Sequence, residues 1–175
     1  MEKSVPDRLV DASLALLAGQ GGGGVTVRAV EASAGVPHGS VRHHFGGLAG
    51  LRAALVDGLL AAERVGPPDA GTAGEPTVDE LVAWWTGDGS ALATARYEVM
   101  LMARREPGLR KVFLAARDAL VSRITATGVA APDAEALLAM LDGLVLDALL
   151  RDRPPDLTLW RNSLTVALAA TTSPS

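Results

Sequence analysis

The sequence predicts an all-α protein in two parts, a small three-helix unit followed by a larger helical body. Three observations carry that expectation. Apolar residues recur at three- and four-residue spacing along most of the chain, and little of it alternates as a strand would. Aromatics are only 3% of a chain that is 49% hydrophobic, so its core must be built mainly from Ala, Leu and Val, a helix-forming mixture. A run of Gly, Pro and polar residues, GPPDAGTAGEP at 66–76, then separates the periodic segments. The divisions expected are a head at 1–47, a connecting helix at 48–64, a linker at 65–76 and a body at 77–175.

The first helix is expected over 5–18, with Val5, Leu9, Ala12, Leu16 and Leu17 as its apolar stripe and Pro6 in its first turn. Gly19-Gln20-Gly21-Gly22-Gly23-Gly24 follows and formally contains G-x-G-x-x-G. A dinucleotide loop needs a strand before it, and a helix stands there instead. The run therefore reads as a flexible connector. Thr26 is placed to cap a second helix, whose buried side is Val27, Val30 and Ala34. Gly35 supplies a sharp turn, Val36 plugs the angle, and Pro37 is expected to open a third helix with Val41 and Phe45 inward. That leaves His38, Gly39, Ser40, Arg42 and His43 facing out. Two short helices joined by a glycine turn, the second polar and basic outside, form the helix-turn-helix that lays its second helix in a DNA major groove.

Leu48, Leu51, Leu55 and Leu59 mark a fourth helix reaching about Arg64. Beyond the linker, Thr77 caps a helix through Trp84-Trp85 that Gly87-Asp88-Gly89 closes, and Ser90 opens the next, which ends near Pro107. Further helices are expected over Leu109–Thr127 and Ala131–Arg151, and a last one after Pro154-Pro155 with Leu157, Trp160, Leu164 and Leu168 as its stripe. The 131–151 helix is apolar on more than one face, more than a small monomer is expected to cover. A second copy is the simplest cover, so Leu138, Leu141, Val145, Leu149, Trp160, Leu164 and Leu168 are the expected interface of a homodimer.

Composition narrows the classes. There is no cysteine, which removes disulfides and thiol catalysis and fits a reducing cytoplasm. The N-terminus lacks the apolar core of a signal peptide, and no 18-residue apolar run spans a membrane, so a soluble cytoplasmic protein is expected. All three histidines (His38, His43, His44) fall in the expected third helix, where adjacent His43 and His44 diverge and no Cys or carboxylate completes a metal set. The body has no histidine to act as a base, so no enzyme, cofactor or metal is expected. Net charge is −4, and residues 1–64 hold six basic and six acidic side chains, a neutral head where DNA binders are usually basic.

Residues 5–64 resemble the N-terminal domain of the TetR family of transcriptional regulators. The matching features are the opening apolar helix, Gly21, Thr26-Val27, the turn at Ala34-Gly35-Val36, and Gly39-Ser40-Val41 running to His44-Phe45. Ala95-Arg96-Tyr97-Glu98, Arg104-Arg105-Glu106-Pro107 and Asp142-Gly143-Leu144 resemble the C-terminal domain of one subgroup. The resemblance implies a homodimer that binds a near-palindromic double-stranded operator, as a repressor released by a small-molecule effector. It implies DNA contacts from Thr26, Arg28, His38, Gly39, Ser40, Arg42, His43 and His44, with Gly39 letting the backbone approach the groove. Trp84, Trp85, Tyr97, Met100 and Arg104 are the expected effector pocket, to which Arg96 and Glu98 would add polar contacts. Three positions depart from the family pattern: Pro37 stands for a small polar residue, Arg42 for an aromatic, and Gly46-Gly47-Leu48 for a phosphate-gripping Lys. A dimeric small-molecule binding module with a weakened DNA head is the rival reading, which Leu48 and the neutral head charge suit.

Overall fold

The computed structural model describes residues 3–65, 77–158 and 160–162. Helices α1 (Val5–Gln20), α2 (Val27–Ser33), α3 (Ser40–Phe45) and α4 (Leu48–Val65) form the head and its connection. Helices α5 (Val78–Thr86), α6 (Ser90–Arg105), α7 (Pro107–Thr125) and α8 (Ala131–Arg151) form the body, and the chain is helical again from Leu157. Among the described residues there is no strand. Residues 66–76 of the expected 65–76 linker, together with Leu164 and Leu168, lie outside the described residues.

Local signals account for most of these bounds. Ser4 caps α1 by accepting the Asp7 amide, and Thr26 caps α2 by accepting that of Ala29. Thr77 and Glu80 form a reciprocal capping box at α5. Pro107 occupies the first turn of α7, where a missing N–H costs nothing.

Helices α2 and α3 are seven and six residues long, too short to persist alone in water. Their stability comes from Val30 and Val41, both fully buried against Leu9, Leu17, Leu51 and Leu55. The same core continues into Ala95, Val99 and Met102 of α6 and Leu109 of α7, so head and body share one apolar interior. Arg52 of α4 adds an ion pair to Glu106 at the α6–α7 junction, 2.6 Å long. A second, smaller core joins Val82, Ala93, Leu141, Val145 and Trp160.

Three expectations are corrected here. The glycine run is not a loose connector: Gly22–Gly24 form a 3₁₀ turn, and the Gly22 amide donates to Glu98 of α6 at 3.0 Å. Pro37 does not open the third helix. It sits in a turn closed by the Ser40 amide on its carbonyl, and α3 starts only at Ser40, after Gly39 at φ 91°. Finally, α8 is not left bare on the side expected. Leu138, Leu141 and Val145 are buried within the protomer, as is Trp160, and Leu149 is half-buried, because α5, α6 and α7 cover that face. The large apolar residues of α8 that remain outside are Leu146 and Leu150, 40% and 77% exposed.

Two glycines give opposite expectations for the same substitution. A Cβ on Gly50 would strike the Phe45 carbonyl oxygen where α4 follows α3, so Gly50→Ala is expected to cost about 1–3 kcal/mol. Gly19 is helical with open space around it, so Gly19→Ala is expected to stabilise by about 0.5–1 kcal/mol. Urea unfolding of both variants against the parent checks the contrast; shifts of the same sign contradict it.

Candidate functional site

The head presents one polar, positively charged surface. Thr26, Arg28, His38, Arg42, His43 and His44 are exposed, while Gly39 and Ser40 are half-buried. The inward side of α3 is Val41 and Phe45. The Thr26 hydroxyl accepts within its own cap, and the Ser40 hydroxyl donates back to the Pro37 carbonyl at 2.6 Å, so both oxygens reach outward already partly engaged. The His43 and His44 rings meet edge to face at 4.7 Å. Gly39 is called for by its own backbone, since its φ of 91° is a left-handed conformation that a side chain rarely adopts, while a Cβ there would meet no atom of the protein.

Beneath this surface lies a group that the sequence reading passed over. Glu31, in the last turn of α2, is only 3% exposed. One of its carboxylate oxygens accepts the amides of Gly39 and Val41, both at 3.0 Å, and the other meets His38 Nδ1 at 3.0 Å. The Val41 amide is the strongest influence holding the Glu31 carboxyl below its ordinary range. Burial opposes it, and Gly39 and His38 reinforce it. A lowered carboxyl stabilises the fold above its ordinary pKa of 4.5, and that contribution is lost as pH falls through the lowered value.

In the body, a cavity of about 330 Å³ opens between α4, α5, α6, α7 and α8. Trp85 and Tyr97 line it, with Leu60, Leu81, Leu120 and Leu138 among its apolar walls. Trp84 does not: its ring packs over Gly89, where a Cβ would strike it. Met100 is half-buried elsewhere on α6, and Arg104 is exposed in the last turn of that helix. Of the two added polar candidates, Arg96 lines the cavity and Glu98 is spent on the glycine turn.

Arg96 is the centre of a charge network along the cavity wall. Its side chain is 13% exposed and pairs with Glu63 of α4 at 2.9 Å and Asp142 of α8 at 3.2 Å. Asp142 also pairs with Arg117 of α7 at 2.8 Å, and its carbonyl accepts the Tyr97 hydroxyl at 2.7 Å. Burial lowers the Arg96 pKa, but the Glu63 and Asp142 carboxylates outweigh it, so the guanidinium ends above its ordinary value. Glu63 carried no motif signal, and Asp142 stood out only in the subgroup resemblance at Asp142-Gly143-Leu144 with no role attached, because partners on four helices meet only in the folded chain. Among the described residues, no group of three or more His, Cys, Asp or Glu is arranged to hold a metal ion.

Residues 9–55 match the family described as bacterial regulatory proteins, tetR family, and residues 76–173 match the tetracycline repressor-like C-terminal domain. The chain belongs to the TetR family. A TetR family member from Streptomyces coelicolor A3 superposes with a TM-score of 0.73 at 28% identity, covering 93% of this chain and 97% of that one. The multidrug binding protein EbrR, in complex with ethidium, gives 0.73 at 29% identity over 93% and 97%. A transcriptional regulator from Rhodococcus sp. Rha1 shares the fold, with a TM-score of 0.74 at 23% identity over 95% of each chain. No curated protein matches the chain. TetR membership makes the protein a DNA-binding transcriptional regulator and not an enzyme.

Tyr97, the single tyrosine of this TetR family chain, offers a direct probe of the cavity wall. Burial, reinforced by Asp142, pushes its hydroxyl up to about 12 from 10.0. A raised pKa stabilises the fold fully below pH 10.0, and that contribution is lost as pH rises toward 12. Phenolate absorbance should therefore titrate near 12 in the folded protein; a midpoint near 10.0 while the fold persists contradicts this packing.

Proposed function

We propose that the protein is a homodimeric repressor that binds a near-palindromic operator and is released by a small aromatic molecule entering the body cavity. The observation that carries this reading is that DNA surface and cavity share a helix. The first half of α4 packs on α3 through Leu51 and Leu55, and its second half supplies Leu60 and Glu63 to the cavity wall. A ligand that displaces Glu63 or Arg96 acts on the helix that supports the reading head. Release further requires that the ligand bind the DNA-free arrangement better than the DNA-bound one.

The expected dimer uses the outer face of α8, with Leu146 and Leu150, together with the last helix of each copy. Two reading helices then enter successive major grooves about 34 Å apart. Arg42 and Arg28 are the leading phosphate or base contacts, and Ser40, His43 and His44 flank them. Leu48, where the family pattern has a phosphate-gripping Lys, is packed against the head core. The aromatic character of the effector rests on Trp85 and Tyr97 in the wall and on the ethidium, proflavin and malachite green complexes of EbrR, itself 29% identical.

A fluorescence-anisotropy titration against DNA flanking the protein's own gene, at two salt concentrations, tests the reading. Saturable binding to a near-palindrome that weakens with salt is expected. Arg42→Ala should weaken operator binding by about 1–3 kcal/mol, roughly 5- to 160-fold, and leave dimerisation intact. Added proflavin should lower operator affinity. Binding at only the non-specific level, on flanking DNA and after genome-wide site selection, would instead favour a ligand-binding module with a weakened head.

A further inference from the structure

We propose that Glu31 is the positioning residue of the reading helix: its buried carboxylate, reaching across the turn from α2, fastens the first turn of α3 and fixes how Ser40, Arg42 and His43 are presented. This rests on the DNA-binding reading above, but the contact itself stands apart from it.

The start of α3 has no cap of its own. Its N-cap residue is Gly39, which has no side chain, and no side-chain hydrogen bond caps the helix from that position. Pro37, two residues earlier, has neither hydroxyl nor N–H. The Ser40 hydroxyl turns back to donate to the Pro37 carbonyl. A helix of six residues cannot leave those amides unsatisfied and hold its orientation by packing Val41 and Phe45 alone. Glu31 resolves this from another helix. A single oxygen, Oε1, takes both Gly39 and Val41, residues that bracket the beginning of α3, so the carboxylate fixes a direction as well as a distance.

The second oxygen extends the effect to the surface. Oε2 holds His38 Nδ1 at 3.0 Å, although the His38 side chain is 84% exposed. With Nδ1 committed inward, Nε2 is turned to the outside at the N-terminal end of the reading helix. Glu31 touches no DNA itself, being 3% exposed; it acts through the groups it orients.

Two measurements on the intact protein separate positioning from general stability. Amide hydrogen exchange by NMR is expected to show Gly39 and Val41 protected in the parent, and protection at both to fall about tenfold or more in Glu31→Ala. Glu31→Gln keeps an acceptor oxygen in place and should retain most of that protection, which also serves should the alanine variant fail to fold. The second readout is the ratio of operator to non-specific DNA affinity. It should fall about tenfold in Glu31→Ala and recover largely in Glu31→Gln, with dimerisation and the Tyr97 titration unchanged. Unchanged protection at Gly39 and Val41 in Glu31→Ala overturns the proposal. So does a lower melting temperature with an unchanged affinity ratio, which would make Glu31 a packing residue only. If the parent shows no specific DNA binding, the regulatory reading fails separately, and amide exchange alone decides whether Glu31 holds the helix.

Discussion

A guanidinium almost wholly removed from water must find carboxylates, and the pairing of Arg96 determines how the two halves of this molecule are joined. Glu63 reaches it from α4 and Asp142 from α8, while Arg117 of α7 takes the remaining Asp142 oxygen. Breaking one partner from such a set strands the others in a poorly solvated place, which is why buried networks behave as a unit. Four helices are therefore tied at one point, and that point lies on the wall of the cavity. Apolar packing alone would permit many small adjustments of α4 against the body. The ion pairs restrict α4 to arrangements that keep the charges matched, and this gives a ligand something discrete to disturb.

The head obeys the same constraint with the opposite sign of charge. Glu31 is as secluded as Arg96, but its partners are backbone amides and an imidazole rather than guanidinium groups. Amides at the start of a helix are oriented dipoles whose positive ends already point at an anion. The carboxylate is thereby stabilised chiefly by the Val41 amide, with Gly39 and His38 reinforcing it, and the reading helix is fixed without a residue of its own to cap it. Pro37 and Glu31 are thus linked: the turn that carries Pro37 leaves the Gly39 and Val41 amides uncapped, and the preceding helix supplies their acceptor.

What could be read in the sequence follows from the range of the interaction. Caps at Thr26 and Thr77, the turn at Gly35 and the inward Val41 and Phe45 depend on neighbours a few residues away, so their spacing reveals them. The Arg96–Glu63 and Arg96–Asp142 pairs join distant segments, and nothing in the periodicity of α4 or α8 marks Glu63 or Asp142. The glycine run was misread for a related reason. Local rules give it freedom, whereas its conformation is set by Glu98, 76 residues beyond Gly22. The α8 face was misjudged because apolar residues specify that a surface is covered but not by what. Helices of the same chain cover Leu138, Leu141 and Val145, and the outward side is the one bearing Leu146 and Leu150.

The neutral charge of the head is also changed by knowing where its charges lie. Residues 1–64 carry equal numbers of basic and acidic side chains, which by itself argues against a polyanionic partner. Yet the acids are not distributed over the surface as the bases are. Between Thr26 and Phe45 the one acid is Glu31, and its charge is buried and met by amides. Glu63 is locked against Arg96 at the far end of α4, and Asp11 is paired with Lys3 on α1. Arg28 and Arg42 remain exposed on α2 and α3, with His43 and His44 beside them. The field that a phosphate meets on approach is set by these nearby exposed groups, because charges beyond roughly 10 Å are largely screened at moderate salt. A head that sums to zero therefore presents a positive reading face.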